Sequence, residues 1–306
     1  FKNYVRSNNL LDKGTKVVYA SGLEGKKEIH QYIEDNFHVL GVPLTVFDNI
    51  SNLNKIDDSL LSDKIKIPEI SDEFNYKFLS KNYYSSGGMG VGNNLTLSST
   101  YFQKFIPGKT FSISFIASSS NPTILGFNQL FTVKNNIKYP FLHAGCMTID
   151  FDQPYRGYIE DWVCKISKHF KLTGYISIDF KIYNKSIEIL DINPRLSGSY
   201  RLYTRKYNNL ICNHMMLSNT LVIKSKQYLS YIILYAKNDI KVDEKIQTLP
   251  DVSDIPDIGQ VIKKDMPIIT LNIKADNQDD LYELIKRRIE SAMEIIDCYN
   301  TQLEYE

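Results

Sequence analysis

Two apolar runs, Gly174–Tyr183 and Ser186–Ile192, are separated only by Asn184-Lys185. Such a pair closes as an antiparallel hairpin over a two-residue turn. The alternation of a strand then sets Ser177 and Asp179 on one face of the first arm, and Asp191 and Asn193 on one face of the second. Asp179 and Asp191 lie inside strongly apolar strands, where an unpaired carboxylate is costly to bury. Two carboxylates and an amide oxygen converge as an oxygen-only set suited to Mg²⁺, which keeps octahedral geometry and shares its shell with phosphate and water. Arg195, two residues further, is placed to bind a phosphate or carboxylate with both arms of its guanidinium. The competing reading is a polar hairpin whose Asp and Asn are only turn formers. The desolvation cost favours the metal.

A second constellation, Ser85-Ser86-Gly87-Gly88-Met89-Gly90-Val91-Gly92, follows Lys77-Phe-Leu-Ser-Lys81. Four glycines in six positions permit positive φ and leave successive backbone N–H groups free to wrap phosphate oxygens, with a lysine upstream for charge. The segment fits neither the GxxxxGK[ST] phosphate loop nor a clean GxGxxG, and a hairpin tip stands as the alternative.

Around these motifs the pattern is α+β. The run Lys16–Ala20, a helical pattern over Lys26–Asn36 and the run His38–Gly41 make a β-α-β rhythm. Polar, turn-rich sequence over 50–75, with Ile67-Pro68, sets a boundary near residue 55. From 74 to about 218 the chain is strand-rich, with strands predicted at Phe111–Ala117 and in the two hairpin arms. After Lys224 come the runs Tyr231–Ala236 and Pro267–Ile273. Leu281, Leu284, Ile285, Ile289, Met293 and Ile296 then fall at helical spacing, with a mixed-charge polar face that marks core packing rather than a membrane surface. We therefore divide the chain into 1–54, a remnant of an N-terminal α/β domain; 55–220, the central domain; and 221–306, a small C-terminal β lobe with a terminal helix. The chain opens on Phe1, and its first strand follows a helix-like stretch without an earlier partner, so a preceding piece is expected.

Lys+Arg 36 against Asp+Glu 35 gives a net charge of +1, which favours neither nucleic acid nor an anionic membrane. Cys146, Cys164, Cys212 and Cys298 show no metal-ligand spacing and read as reduced core thiols. No apolar run reaches the roughly 20 residues of a membrane span, and the cytoplasm is the expected location. Weaker candidates for a substrate pocket are His143, the arginines Arg156, Arg201 and Arg205, and the pair Tyr200 and Tyr203, which flank Arg201 and offer rings for an aromatic amine. For His143 the alternative is a hydrogen-bonded core residue, and for each arginine a solvated or structural charge.

Taken in order, the glycine loop with its lysine, Tyr101-Phe-Gln-Lys-Phe-Ile-Pro-Gly108, Asp179, and Asp191-Ile-Asn193-Pro-Arg195-Leu-Ser-Gly198-Ser199 resemble the ATP-grasp superfamily over about residues 50–205. Val18-Tyr-Ala-Ser-Gly22, and Asp254-Ile-Pro256-Asp-Ile-Gly259 followed by Pro267-Ile-Ile-Thr270, resemble its archaeal and methylotroph ligases related to tyramine-glutamate ligase. The resemblance implies an ATP-grasp fold, two α+β lobes sandwiching ATP. It implies that Lys81 contacts the phosphates and that the loop of Ser86, Gly87, Gly88 and Gly90 covers them. Gln103, Lys104, Phe105 and Ile106 would hold adenine, largely through backbone groups of Lys104 and Ile106. Asp179, Asp191 and Asn193 would ligate Mg²⁺, with Mn²⁺ as an alternative, and Arg195 would act on the phosphoryl group or tetrahedral intermediate. Three positions depart from the family pattern. Asp191 stands where Glu is usual, Gln103 replaces the hinge acid and would accept from the adenine amino group through its amide oxygen, and the ribose-binding acid is replaced near Lys109-Thr110.

The implied activity is an ATP-dependent carboxylate-amine ligase acting through an acyl phosphate on small molecules, with glutamate and an aromatic or aminomethyl amine as candidates. Neither nucleic acid nor a membrane is an expected partner, and family analogy suggests a homodimer. The alternatives are a nucleotide-binding module without catalysis, motivated by the departures, and a carboxylase or kinase on the same scaffold.

Overall fold

The computed structural model describes residues 14–303 apart from positions 24, 74, 84, 93–99, 119–120, 152–153, 209 and 211–220. The helix-like opening and Cys212 lie outside the described residues. Asn184 and Lys185 both take positive φ, 47° and 64°, as the tightest hairpin turn requires, and this fixes the register of the two arms.

Strands of five or more residues are numbered β1 (Phe78–Asn82), β2 (Thr100–Lys104), β3 (Thr110–Ala117), β4 (Thr123–Val133), β5 (His143–Ile149), β6 (Gly174–Tyr183), β7 (Ser186–Asn193), β8 (Tyr228–Tyr235) and β9 (Pro267–Ala275). The helices are α1 (Lys27–Asn36), α2 (Leu44–Ile50), α3 (Tyr155–His169), α4 (Tyr200–Lys206) and α5 (Gln278–Met293). The large sheet runs β9-β8-β5-β4-β3-β6-β7 with antiparallel neighbours, and Ile65–Lys66 adds to β7 in parallel. A second antiparallel sheet holds Ile70–Ser71, β2, β1 and Val91–Gly92 in that order. At the chain start, Lys16–Val17 pairs in parallel with His38–Val39 across α1, the expected β-α-β unit with shorter strands. That unit meets the rest of the chain where Leu196 N donates to Tyr19 O at 3.0 Å.

The two faces of the large sheet differ in chemistry. On the back face, Ile113, Phe115, Ile176, Ile178 and Phe180 pack with Ile159, Trp162, Val163 and Ile166 of α3, and with Phe47, Ile50 and Leu53. Ile232, Leu234, Leu271 and Ile273 pack there with Leu281, Ile285 and Ile289 of α5. The terminal helix is thus a core element, although Met293 is 40% exposed and Ile296 lies beyond the helix end. On the front face, the alternate residues Ser112, Ser114, Asn128, Thr148 and Ser177 are buried and polar. They are covered by α4, whose Leu202 and Tyr203 are fully buried. Cys146 and Cys298 are buried free thiols, whereas Cys164 is half-buried on α3 rather than in the core, because it sits at the edge of the helix's apolar stripe. No helix among the described residues is long and apolar enough to cross a membrane.

Phe180 is fully buried against Phe111 and Phe151, at centroid distances of 6.0 and 5.5 Å. Phe180→Ala is expected to cost about 3–5 kcal/mol. Urea unfolding followed through the single tryptophan, Trp162, which is 2% exposed, measures it.

Candidate functional site

The hairpin arms set Asp179 directly opposite Asp191 and Ser177 opposite Asn193. The register shifts just after Asp179, where Phe180 pairs with Ile189, so Leu190 is the extra residue of a bulge. Its carbonyl accepts from Lys81 Nζ at 2.9 Å. Lys81 comes from β1 in the smaller sheet, and its Nζ also donates to Gln103 Oε1 at 2.7 Å. Burial lowers the Lys81 pKa, and the nearby Asp191 and Asp179 oppose that shift. Asp179 is pushed up to about 7, first by burial and then by the charge of Asp191; Arg195 and Lys81 pull the other way. Two like charges placed face to face favour a bound cation or a shared proton.

Asn193 Nδ2 donates to Asp179 Oδ2 at 3.3 Å, and its Oδ1 accepts from Arg195 Nη2 at 2.8 Å. Arg195 is 9% exposed, so the guanidinium is held inside the site. Among the described residues no three His, Cys, Asp or Glu side chains converge on a cation position. The donor set is instead two carboxylates and an amide. That fits Mg²⁺, which usually takes one or two carboxylates and completes its shell with phosphate and water. A metal there would compete with Arg195 for Asn193 Oδ1.

The expected adenine segment forms the end of β2. Lys104 N donates to Glu69 O at 2.8 Å and Phe105 N to Lys77 O at 2.9 Å, which leaves the buried Ile106 N–H without a partner among the described residues. Gln103 departs from its expected role. Its amide oxygen already accepts from Lys81, and its buried Nε2 has no partner, so its open valence is a donor rather than an acceptor.

Sequence inspection passed over Lys181. Its Nζ donates to Ile106 O at 2.6 Å and lies 5.2 Å from the centre of the Phe105 ring. Burial, with the charge of Lys81, brings its pKa down to about 8. The available signal was its position two residues past Asp179, hence on the same face of β6.

The glycine loop is the tip of the hairpin that carries Lys81, with Lys81 opposite Val91 and Ser80 opposite Gly92. Gly87 and Gly88 take φ of +64° and +76°. The loop docks on the large sheet: His143 N donates to Gly87 O at 2.9 Å, and a Cβ on Gly88 would fall 1.8 Å from Phe141 O. The N–H groups of Ser86, Gly87, Gly88 and Gly90 have no partner among the described residues. Such a run of unpaired N–H groups fits phosphate oxygens.

His143 Nε2 lies 2.8 Å from Tyr231 OH, and burial brings the His143 pKa down to about 4, helped by Arg201. A Cβ on Gly198 would fall 2.1 Å from the same Tyr231 hydroxyl, so this pair touches both the glycine-loop support and the loop after Arg195. Arg156 pairs with Glu160 on the surface of α3. Tyr203 is fully buried and donates to Asn128 Oδ1 at 3.0 Å, and Tyr200 packs edge-on against Tyr175. Tyr203 is therefore committed to the core and does not offer its ring to an aromatic amine.

The raised pKa of Asp179 has a testable sign. The folded protein keeps a proton that the unfolded chain releases near the ordinary value of 3.8, so this group lowers stability as pH rises from about 4 to about 7, and the cost is complete above that. In chelator, Asp179→Asn is expected to melt above the wild type at pH 8, with the difference vanishing below pH 4; melting curves at both pH values decide it. Gly88→Ala, whose Cβ would meet the Phe141 backbone at a positive φ, is expected to weaken binding of a non-hydrolysable ATP analogue at least ~10-fold in titration calorimetry and to lower the melting temperature as the loop loses its seat on the large sheet.

Residues 51–199 match the family described as ATP-grasp domain. An uncharacterised protein of Methanocaldococcus jannaschii is 29% identical over 260 residues, 78% of this chain. The chain spans 64% of that relative's length. Among solved structures, the biotin carboxylase-beta-gamma-ATP complex from Campylobacter jejuni superposes with a TM-score of 0.68 at 12% identity, covering 98% of this chain and 78% of that one. An L-amino acid ligase from Bacillus licheniformis gives 0.64 at 12% identity, over 86% and 82%. N5-carboxyaminoimidazole ribonucleotide synthetase from Thermotoga maritima gives 0.66 at 10% identity, over 96% and 84%. The two sheets and these likenesses agree on the architecture: the chain has the ATP-grasp fold, with the ATP-grasp domain match over residues 51–199.

Proposed function

We propose that the chain is an ATP- and Mg²⁺-dependent ligase that activates a carboxylate and joins it to an amine. The observation that carries this reading is the facing pair Asp179 and Asp191, flanked by Arg195 and by Lys81 from the opposite sheet. Unpaired loop N–H groups and Lys81 would hold the ATP phosphates, and the Ile106 N–H and Gln103 Nε2 would meet acceptors of the base. A substrate carboxylate oxygen attacks the γ-phosphorus, the bond to the ADP oxygen breaks, and ADP leaves with that electron pair. The amine nitrogen then attacks the acyl carbon, the bond to phosphate breaks, and the nitrogen loses a proton. Arg195 stabilises the oxygen charge that develops at each stage. Asp179, Asp191 and Asn193 would hold Mg²⁺, or Mn²⁺ in its place, which would supply charge neutralisation for the phosphates. No protein nucleophile is required.

The finer reading follows the subgroup resemblance: glutamate as the carboxylate, and tyramine or another primary amine as acceptor, in a cytoplasmic homodimer. In the same reading, 1–54 is the N-terminal remnant, 55–220 the ATP-binding domain and 221–306 the C-terminal lobe. A carboxylase is the second reading, favoured by the likeness to biotin carboxylase.

The test is ADP release with MgATP, glutamate and an amine panel that includes tyramine. Amine-dependent release that falls at least ~100-fold in Asp179→Ala is expected, the scale of losing a preorganised electrostatic group, and hydroxylamine should intercept the acyl phosphate. Bicarbonate-dependent release without an amine would move the assignment to a carboxylase. Nucleotide binding with no turnover on any pair would move it to a binding module.

A further inference from the structure

Strand β5 opens on a bulge: His143 pairs with Thr132 and Gly145 with Phe131, so Ala144 is the extra residue. The bulge is built around Gly145, at φ +136°, where a Cβ would fall 2.1 Å from Tyr231 O. Across it the alternation of the strand is inverted. Cys146 packs on the front face with Leu202 and Tyr231, Ala144 lies in the back-face core, and His143 is brought to the front beside Tyr231. Both main-chain groups of His143 are committed, its N to Gly87 O of the glycine loop and its O to the Tyr235 hydroxyl at 3.0 Å. The backbone alone therefore carries the loop, and the imidazole is not needed for that task.

The ring stands where the phosphate-covering loop meets the loop that follows Arg195. Its Nε2 lies 2.8 Å from the Tyr231 hydroxyl and 3.8 Å from the point where a Cβ on Gly198 would fall. The Tyr231 hydroxyl has Cys146 as a second hydrogen-bond partner, so it can accept from Nε2–H and give its own hydrogen to the sulfur. That tautomer leaves the lone pair on Nδ1. The ring is half-buried, and Nδ1 has no partner among the described residues and is not closed off from solvent. Burial, with the charge of Arg201 stacked 5.0 Å from the centre of the Tyr231 ring, keeps the imidazole neutral at neutral pH. An imidazole that is neutral, anchored at one nitrogen and open at the other is in the form that accepts a proton.

We propose that His143 is the general base of the ligase reaction, taking a proton at Nδ1 from the amine that attacks the acyl phosphate, with Tyr231 as its positioning residue. The inference rests on the ligase reading. As the amine nitrogen gives its lone pair to the acyl carbon it becomes strongly acidic, so a weak base suffices at that moment. The proton passes to the Nδ1 lone pair and the N–H electrons stay on nitrogen. The bond from carbon to the phosphate oxygen breaks, and phosphate leaves with that electron pair. The imidazolium then releases its proton to water.

Hydroxylamine isolates this step, because it attacks an acyl phosphate without help from a base. With MgATP, glutamate and an amine that supports turnover, His143→Gln, which keeps a hydrogen bond for Tyr231, is expected to lower amine-dependent ADP release ~100-fold or more. Its hydroxamate formation from hydroxylamine and its affinity for a non-hydrolysable MgATP analogue are expected to match the wild type, which also shows that the variant is folded with its glycine loop seated. Imidazole added to His143→Ala should restore part of the amine reaction. Tyr231→Phe, which leaves the imidazole but removes its anchor, should fall between the wild type and His143→Gln. Equal loss of the amine and hydroxylamine reactions would make the histidine structural, and an unchanged amine rate in His143→Gln would make it a bystander; either result overturns the proposal. A wild type that releases no ADP with any amine and forms no hydroxamate would remove the ligase reading itself, and this step with it.

Discussion

Asp179 and Asp191 face one another across neighbouring strands, and the rest of the site is arranged around the repulsion between them. Burial first, and the charge of Asp191 second, raise the Asp179 pKa to about 7. Lys81, Arg195 and Asn193 each offset part of that shift, and none of them removes it. The facing carboxylates suit a cation, and Lys81, Arg195 and Lys181 around them suit the phosphates a cation brings.

The relief comes from different parts of the chain, and this is what couples the two sheets. Lys81 belongs to the smaller sheet but ends on Leu190 O, a carbonyl released by the bulge in β7. Lys181 belongs to the large sheet but ends on Ile106 O in the hinge segment. The glycine loop leans on Phe141 and His143. Three crossings of opposite origin hold the lobes over the carboxylates, and all three are polar, so each can exchange for a ligand contact without unpacking either apolar core.

Behind the carboxylates lies a buried network that the hairpin alone does not foretell. Asn128 joins Ser112, Ser114 and the Tyr203 hydroxyl, and Tyr175 joins Ser114, Ser197 and Ser199. It fixes α4 and the loop after Arg195 to the sheet through satisfied hydrogen bonds rather than oil-like packing, which holds side chains at defined angles. The same network explains why β4 is hard to recognise: Gly126, Asn128 and Gln129 interrupt an apolar alternation that would otherwise mark a strand, because their partners are on other strands. Helix α3, by contrast, carries Ile159, Trp162, Val163 and Ile166 at plain helical spacing and was legible in principle.

The sequence by itself determined the hairpin of β6 and β7, the shared face of Asp179, Asp191 and Asn193, the positive-φ loop over Gly87 and Gly88, and the apolar stripe of α5. Each depends on periodicity or on a local backbone preference, and those are properties of a few consecutive residues. Only the tertiary structure decided that Lys81 turns to Leu190, that the Gln103 oxygen is taken by that lysine, that Lys181 reaches the hinge, and that Tyr203 is core rather than pocket. Those outcomes depend on which strands become neighbours and on how much water the contacts exclude. Strand order and desolvation are set by the whole chain, and no short window of residues contains them.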